Sequence, residues 1–313
     1  MVEKFNYPKE QPSRDIKRNL HGIKKTAKWQ ENIYKEFEKV KDEDGGDMRE
    51  YSAEAVEIFN ESLRFVFEFL KKQGININDL KINKFDVYVT KKDDIGGQYN
   101  TVYDKIYISE ASLSDKERAK EIFIHEIFHK LSASALYMTQ YKQENKEFIG
   151  SIKSGYSSSY FLIEKKLNFA RTKEKNLFEA FNEGVTDLLT FLALSDKGRD
   201  YANNKSRYKT ETAMAAAIMS NVYGQKNYRE FIMNYFSGRM MHLRKIEKYY
   251  GKGSLGLLAG MGTKDNYKHR YGNDKQLLEK IYEERDFALE FFTTRDKSKR
   301  EELRKKLTLE GNA

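Results

Sequence analysis

Cysteine is absent from the 313 residues of this chain. Its absence excludes disulfide bonds, thiolate metal ligands and cysteine nucleophiles. Long apolar runs are absent as well: one of the longest covers only residues 188–194, whereas a membrane-spanning helix needs roughly 18 apolar residues. The first 20 residues are mostly polar and charged, unlike a secretory signal. We therefore expect a soluble, cytoplasmic protein with no membrane span, although export without a signal peptide would leave no trace in the sequence.

Proline occurs only at Pro8 and Pro12. The rest of the chain lacks the strongest helix breaker, so we expect a mostly helical body. Residues 1–50 form a charged arm, in which apolar residues at helical spacing predict one amphipathic helix: Trp29, Ile33, Phe37 and Val40. We expect this arm to pack on the body.

The formal net charge of +9 arises from 57 Lys and Arg against 48 Asp and Glu. Residues 201–313 contain 23 basic and 14 acidic side chains and account for the excess, whereas residues 51–200 contain 22 and 23. Positive charge can attract nucleic acid or acidic partners. However, the chain has no helix-turn-helix, zinc-finger or RNP pattern, and charges of opposite sign alternate over residues 295–306, as on a solvated helix face. We therefore do not expect a nucleic-acid ligand. The basic C-terminal third, residues 201–313, could dock an acidic partner.

Changes in apolar periodicity predict the elements that follow the arm. Helical spacing predicts a helix over residues 52–74, with Gly74 as its end. Alternating apolar residues then predict a strand at 85–89, and residues 98–109 have the pattern of two short strands joined by a turn.

Helices dominate the remainder of the predicted structure. Ser114 and Glu117 form the S-x-x-E pattern of a capping box ahead of a helix over residues 115–134. After a strand predicted at 152–156, apolar spacing predicts four more helices, over residues 176–194, 210–221, 226–249 and 275–307.

Residues 125–129 read His-Glu-Ile-Phe-His, an H-E-x-x-H pattern on the predicted helix. Positions i and i+4 lie on one face of a helix, so His125 and His129 can reach one metal ion. Glu126 then projects beside them toward a metal-bound water. This spacing favours a zinc site. The alternative is two surface histidines that flank a glutamate on an ordinary helix.

A catalytic zinc ion needs a third protein ligand and one open position. Because the chain has no cysteine and its other histidines follow no ligand pattern, a carboxylate is the better candidate. Residues 182–187 read Asn-Glu-Gly-Val-Thr-Asp within a helical apolar pattern, and Glu183 and Asp187 share one face there. Glu183 as a ligand and Asp187 as the acceptor of a ligand-histidine N–H would explain two carboxylates beside a core face. The alternative is a solvated acidic face.

The two segments H-E-I-F-H and N-E-G-V-T-D together resemble the motifs of the gluzincins, the thermolysin-type branch of zinc metallopeptidases. The resemblance implies one Zn²⁺ per chain, bound by His125, His129 and Glu183. It also implies Glu126 as the general base and Asp187 as the residue that orients a ligand histidine.

The implied fold is α+β and zincin-like, with a small mixed β-sheet packed on the H-E-x-x-H helix and a mainly helical C-terminal lobe after it. The resemblance covers about residues 51–195. One departure concerns spacing: 53 residues separate His129 from Glu183. This gap is longer than in thermolysin-like enzymes and closer to lethal-factor-like and other divergent members.

Gluzincins also stabilise the oxyanion of the reaction with a Tyr or His from a later segment. Tyr223 and His242 are the candidates in this chain, and Tyr156 is another.

A further element that the resemblance implies is an edge strand above the metal, to which an extended peptide can add by main-chain hydrogen bonds. Residues 97–109 resemble that element, with Tyr99 and Tyr107 facing the substrate. The alternative is an ordinary hairpin that covers the core.

These observations divide the chain into the arm at residues 1–50, a metallopeptidase domain at 51–250 and a basic helical extension at 251–313. The expected function is zinc-dependent hydrolysis of peptide bonds in a protein or peptide substrate, and the choice between endopeptidase and exopeptidase stays open. Two alternatives stay open: a catalytically silent metallopeptidase-like binding protein, and a basic module that binds nucleic acid or another partner. Glu126 favours the enzyme over the silent protein, because a structural zinc site needs no general base. The substrate and the oligomeric state stay open.

Overall fold

A computed structural model describes a mixed α and β structure that is mostly helical. The described residues are 20–21, 45–47, 52–80, 85–91, 96–100, 105–132, 134–143, 146–164, 174–195, 208–237, 240–264, 267–268, 272 and 274–310. None of the helices within them has the length and apolar character that a membrane crossing requires. The helix predicted through Trp29 and Val40 lies outside the described residues.

The chain falls into two compact units. Unit 1 comprises Met1–Ser154, Ser159–Lys175 and Thr190–Tyr201, and unit 2 comprises Gly155–Ser158, Asn176–Leu189 and Ala202–Ala313.

The elements up to residue 177 include most of the β structure. In chain order they are β1 (Leu20–His21), β2 (Gly45–Asp47), α1 (Ala53–Lys72), a 3₁₀ turn (Ile77–Leu80), β3 (Asp86–Thr90), β4 (Gly97–Asn100), β5 (Lys105–Ser109), α2 (Glu110–Leu113), α3 (Lys116–Leu131), β6 (Ser134–Gln143), β7 (Lys146–Ser154), β8 (Ser157–Glu164) and β9 (Glu174–Leu177).

Two sheets contain these strands. One has the order β2-β3-β5-β4, with β3 parallel to β5 and with β2 and β4 antiparallel to their neighbours. Strand β4 lies at the edge of this small mixed sheet, where Gln98 is opposite Tyr107. The other sheet has the order β1-β6-β7-β8-β9. Apart from a strand near residue 152, the sequence analysis did not predict this second sheet.

Helix α1 confirms the first predicted helix. The Ser52 side chain caps its start by accepting a hydrogen bond from the Ala55 N–H, and Gly74 follows its end with a φ of 66°. Such a positive φ suits glycine because it has no Cβ. The buried face of α1 packs along α3, where the Phe59 ring meets the Phe123 ring edge-on at 5.3 Å.

Helix α3 begins one residue later than the predicted capping box requires. Asp115 is the N-cap, and its carboxylate accepts hydrogen bonds from the Glu117 and Arg118 N–H groups. The Ser114 hydroxyl instead donates to the Ala111 carbonyl at the end of the short helix α2. A carboxylate satisfies two of the helix's orphan N–H groups and suits the positive end of its dipole, so Asp115 replaces Ser114 in this role.

The chain after residue 178 is helical throughout its described part. Its elements are α4 (Glu179–Ser195), α5 (Lys209–Ile218), a π-helical turn (Met219–Tyr223), α6 (Gly224–Ser237), a 3₁₀ turn (Met241–Leu243), α7 (Arg244–Tyr250), α8 (Ser254–Gly260), α9 (Lys275–Thr293) and α10 (Lys297–Glu310).

Two of the predicted long helices are each divided. The one over residues 226–249 becomes α6 and α7, and the one over 275–307 becomes α9 and α10. Asp296 explains the second division, because its carboxylate accepts hydrogen bonds from the Ser298 and Lys299 N–H groups and so starts a new helix. The core of unit 2 continues across residue 251, since the Tyr250 ring packs on Phe292 at 5.1 Å.

Candidate metal centre

Helix α3 places His125 and His129 on one face, as the H-E-x-x-H spacing predicts. Their Nε2 atoms lie 3.0 Å apart, and the ring centroids are 4.7 Å apart. His129 is buried and His125 is half-buried. The helix ends just beyond them, where the Ser132 hydroxyl donates to the His129 carbonyl. The two rings therefore converge through the atoms that would bind a metal.

Glu126 is buried on the same helix and is held by the edge strand. Its Oε2 accepts a hydrogen bond of 2.7 Å from the Tyr99 N–H of β4. Helix α3 packs against β4 and β5, and Gly97 makes this approach possible. A Cβ at position 97 would lie 2.3 Å from Ile122 Cγ2 and 3.3 Å from Glu126 Oε1. The carboxylate thus has a fixed direction, since a hydrogen bond to a charged acceptor is short and strong.

The two tyrosines predicted to face a substrate lie on neighbouring strands. Tyr99 is on β4 and Tyr107 is on β5, and both side chains are buried. The Lys130 ammonium lies over the Tyr99 ring at 5.8 Å, and the Tyr88 ring lies 5.8 Å from that of Tyr107.

Helix α4 carries the N-E-G-V-T-D segment, and its start is fixed by the backbone. Phe178 precedes the helix with a φ of 58°, a conformation that bulky residues rarely adopt. Its N–H donates to the Ala259 carbonyl, and the Ala180 N–H donates to the Met261 carbonyl. These partners satisfy N–H groups that a helix start leaves without an internal acceptor.

Four polar residues of this segment form two i, i+4 pairs. Glu183 is half-buried and Asp187 is buried. The Thr212 hydroxyl of α5 donates to Asp187 Oδ2 at 2.6 Å. The other pair, Asn182 and Thr186, is buried in the core of unit 2.

Asn182 and Thr186 hold backbone and side chains inside unit 2. Asn182 Oδ1 accepts a 2.9 Å hydrogen bond from the Tyr156 N–H, next to Gly155, whose φ is 56°. The Thr186 hydroxyl lies 2.6 Å from the Tyr235 hydroxyl. The sequence analysis missed both roles. Their shared i, i+4 spacing was the available signal, because a second polar pair within an apolar helix needs buried partners.

The two oxyanion candidates form one hydrogen-bonded pair within unit 2. The Tyr223 hydroxyl lies 2.5 Å from His242 Nδ1, and both side chains are buried. Burial, with a smaller contribution from Glu230, raises the pKa of Tyr223 well above its usual value. Burial also lowers the pKa of His242 to about 4, an effect that Lys245 reinforces and Glu230 opposes. The pair is therefore neutral near pH 7.

The third candidate, Tyr156, belongs to the same aromatic core. Its hydroxyl donates to the Phe231 carbonyl at 2.9 Å, and its ring stacks on Phe181 at 5.4 Å. Burial raises the pKa of Tyr156 well above its usual value. This hydroxyl has a structural role in packing α6.

Among the residues that the structure describes, His125, His129 and Glu183 form a group that could hold a metal ion. One candidate ligand atom from each residue lies within 4.8 Å of the other two.

Comparison with protein-family models, with curated proteins and with solved structures found no match.

The donor set is typical of transition-metal sites. Two imidazole nitrogens and one carboxylate oxygen suit Zn²⁺ or Fe²⁺ and leave coordination positions open, whereas Mg²⁺ and Ca²⁺ prefer oxygen ligands alone. Two nitrogens bound to one tetrahedral zinc ion are about 3.3 Å apart. The 3.0 Å between the imidazole nitrogens is close to that spacing.

Proposed function

We propose that this protein is a zinc-dependent peptidase that binds one Zn²⁺ per chain through His125, His129 and Glu183. The observation that carries the proposal is the group of three ligand atoms, each within 4.8 Å of the others, two of them on the same helix as the buried Glu126. Three protein ligands with one open position are typical of catalytic zinc, while structural zinc sites are usually closed by four.

Glu126 is the general base of the proposed reaction. When bound, zinc would supply a water of lowered pKa and would polarise the scissile carbonyl. Glu126 would take a proton from the attacking water and return it to the leaving nitrogen as the C–N bond breaks. The Tyr99 N–H supports this role, because it holds one carboxylate oxygen at 2.7 Å and fixes the direction of the other.

The substrate in this proposal is an extended peptide that aligns with β4. Support comes from the position of β4 at the edge of the small mixed sheet, antiparallel to β5, and from its direct contact with the general base. Edge strands bind peptides by main-chain hydrogen bonds, which fixes the peptide direction without demanding a particular sequence.

The same residues resemble the gluzincin motifs. We therefore propose that the protein is a divergent gluzincin with a zincin-like fold. The absence of cysteine fits a reducing, cytoplasmic environment. Tyr223 or His242 supplies the oxyanion donor in this scheme. Their mutual hydrogen bond means that substitution of either one changes the other.

The decisive experiment compares wild type with Glu126→Gln. The variant keeps the three metal ligands and loses the base, so we expect about one zinc per chain in both proteins by elemental analysis. Peptide cleavage should fall by about 10²- to 10⁴-fold in the variant. Products are identified by mass spectrometry after each protein is incubated with a cell lysate.

A matched control is Glu121→Gln on the same helix, where the carboxylate pairs with Arg118 at the surface instead. This control should cleave like wild type. Cleavage by Glu126→Gln at the wild-type rate would refute the role of the base, and purified wild type that binds no zinc would refute the metal site.

A further inference from the structure

A buried ion pair joins two helices of unit 2, at a distance in sequence from the motif on α4. Arg285 of α9 pairs with Glu211 at the start of α5, and the two side chains are only 2% and 3% exposed. Thr210 completes the group, since its hydroxyl donates to Glu211 Oε2 at 2.7 Å and lies 3.1 Å from Arg285 Nη2. The pair therefore fixes the first turn of α5 on α9.

Stability alone does not account for this pair. Removing two charges from water is costly, and apolar replacements of buried pairs are often neutral or stabilising. The cost is higher here because the buried Arg285 Nε has no hydrogen-bond partner among the residues that the structure describes. A buried ion pair does fix the relative position of the two helices that it joins, here α5 and α9.

Gly184 of α4 shows where the first turn of α5 is placed. A Cβ at position 184 would lie 2.3 Å from the Glu211 carbonyl oxygen and 2.5 Å from its carbon. The backbones of α4 and α5 thus touch at Gly184, the residue that directly follows Glu183. Because the contact is with backbone, a shift of Glu211 moves α5 directly against this turn of α4.

Thr212 follows Glu211 and connects the pair to the motif. Its hydroxyl oxygen lies 2.6 Å from Asp187 Oδ2 and 2.8 Å from the Tyr208 carbonyl. The charged carboxylate is the stronger acceptor. The hydrogen bond orients the Asp187 carboxylate, which in the proposed zinc site would accept the N–H of a ligand imidazole, as the resemblance to the gluzincin motifs implies.

We propose that Arg285, Glu211 and Thr212 are positioning residues for the metal centre: the Arg285–Glu211 pair sets the first turn of α5 on α4, and Thr212 thereby orients Asp187. The inference rests on the proposed zinc site. It assigns the orientation of Asp187 to residues 24 or more positions away in sequence, none of which is a proposed metal ligand.

The test measures zinc affinity by chelator competition, together with the thermal midpoint of the metal-free protein and the visible spectrum of the Co²⁺-substituted protein. Thr212→Val should weaken zinc binding by about 3- to 10-fold, somewhat less than the 10- to 100-fold expected for Asp187→Asn. Thr212→Ser keeps the hydroxyl and should bind like wild type. Thr293→Val is the matched control, because Thr293 also donates to the carbonyl four residues before it but lies away from the motif.

The double variant Glu211→Leu with Arg285→Met separates position from stability. Apolar replacement should leave the thermal midpoint of the metal-free protein at or above that of wild type, while zinc affinity falls about 3- to 10-fold and the Co²⁺ spectrum changes.

Two outcomes would overturn parts of the argument separately. If Thr212→Val and the double variant bind zinc like wild type while Asp187→Asn binds it more weakly, the positioning role is wrong and the zinc site stands. If wild type binds no zinc, or His125→Ala binds as much as wild type, the proposed function is wrong.

Discussion

The two units hold their motifs by different kinds of contact. In unit 1, the spacing of one helix turn brings the nitrogens of His125 and His129 to 3.0 Å, and a neighbouring strand holds Glu126 through the Tyr99 N–H. In unit 2, side chains distant in sequence hold the motif: the Thr212 hydroxyl donates to Asp187, and Arg285 pairs with the carboxylate of Glu211, the residue before Thr212. The first arrangement follows from local helix geometry, and the second depends on tertiary packing.

This difference predicts how each half responds to change. A site built by helix spacing survives small shifts of its surroundings, since the ligands move together on one rigid element. A site held by tertiary contacts loses its geometry when a neighbouring helix moves by a fraction of an ångström, because packed interiors have little free space.

The largest expected effect is the loss of a direct ligand. His129→Ala should weaken zinc binding by more than about 100-fold, beyond the range for residues that only orient a ligand. His242→Gln is the control, because His242 is a buried imidazole of unit 2 outside the ligand group, and it should bind zinc like wild type. Chelator competition measures both. If His129→Ala and wild type bind zinc with equal affinity, His129 is not a ligand.

The glycines beside the two motifs provide a second comparison, by double-mutant cycles on the free energy of unfolding. Gly184→Ala forces a Cβ against the Glu211 backbone, and overpacking of this kind costs about 1–3 kcal/mol even after the better helix propensity of alanine is counted. Truncation of the side chain by Glu211→Ala cannot relieve a backbone clash. We therefore expect the costs of Gly184→Ala and Glu211→Ala to add.

Gly97→Ala in unit 1 should behave differently. The added Cβ would meet the Ile122 side chain at 2.3 Å, and Ile122→Ala removes the atom in question. We expect the double variant to be more stable than the sum of the single variants by about 1 kcal/mol, within the range of coupling energies for residues in contact. Additive costs at Gly97 and Ile122, or strong coupling at Gly184 and Glu211, would contradict the comparison. Urea denaturation of the metal-free proteins measures all four costs.

Local physics made much of unit 1 predictable from the sequence. Helix α1, the strand that begins at Asp86 and the convergence of His125 and His129 each depend on residues a few positions apart, through capping, alternation or helix spacing. The capping residue of α3 was wrong by one position, because Ser114 and Asp115 are both good caps and only the tertiary path of the chain decides between them.

The support of α4 could not be predicted in the same way. No periodicity links Thr212 to Asp187 or Arg285 to Glu211, since their contacts depend on how three helices pack. The sequence did indicate that Glu183 and Asp187 share a helix face. It could not indicate that Asn182 and Thr186 are committed to Tyr156 and Tyr235, because those partners come from other elements.

The last prediction concerns the pH dependence of folding stability and involves only unit 2. His242 has a pKa of about 4 in the folded protein and about 6.5 when unfolded. The unfolded chain therefore binds a proton more readily between these values, and folding stability contributed by the neutral imidazole is complete above pH 6.5 and is lost as the pH falls toward 4.

The full shift corresponds to about 3 kcal/mol, and solvent access reduces the expected loss to about 1–2 kcal/mol. Urea denaturation at pH 7 and pH 4 should show this loss for wild type relative to His242→Gln, which keeps the neighbouring Glu230–Lys245 ion pair, so that the contribution of this pair cancels in the comparison. Equal losses in the two proteins would mean that His242 accepts a proton as readily in the fold as in water. In that case the pKa of His242 in the folded protein would be close to 6.5. The imidazole of the Tyr223–His242 pair would then become positively charged as the pH falls below neutral.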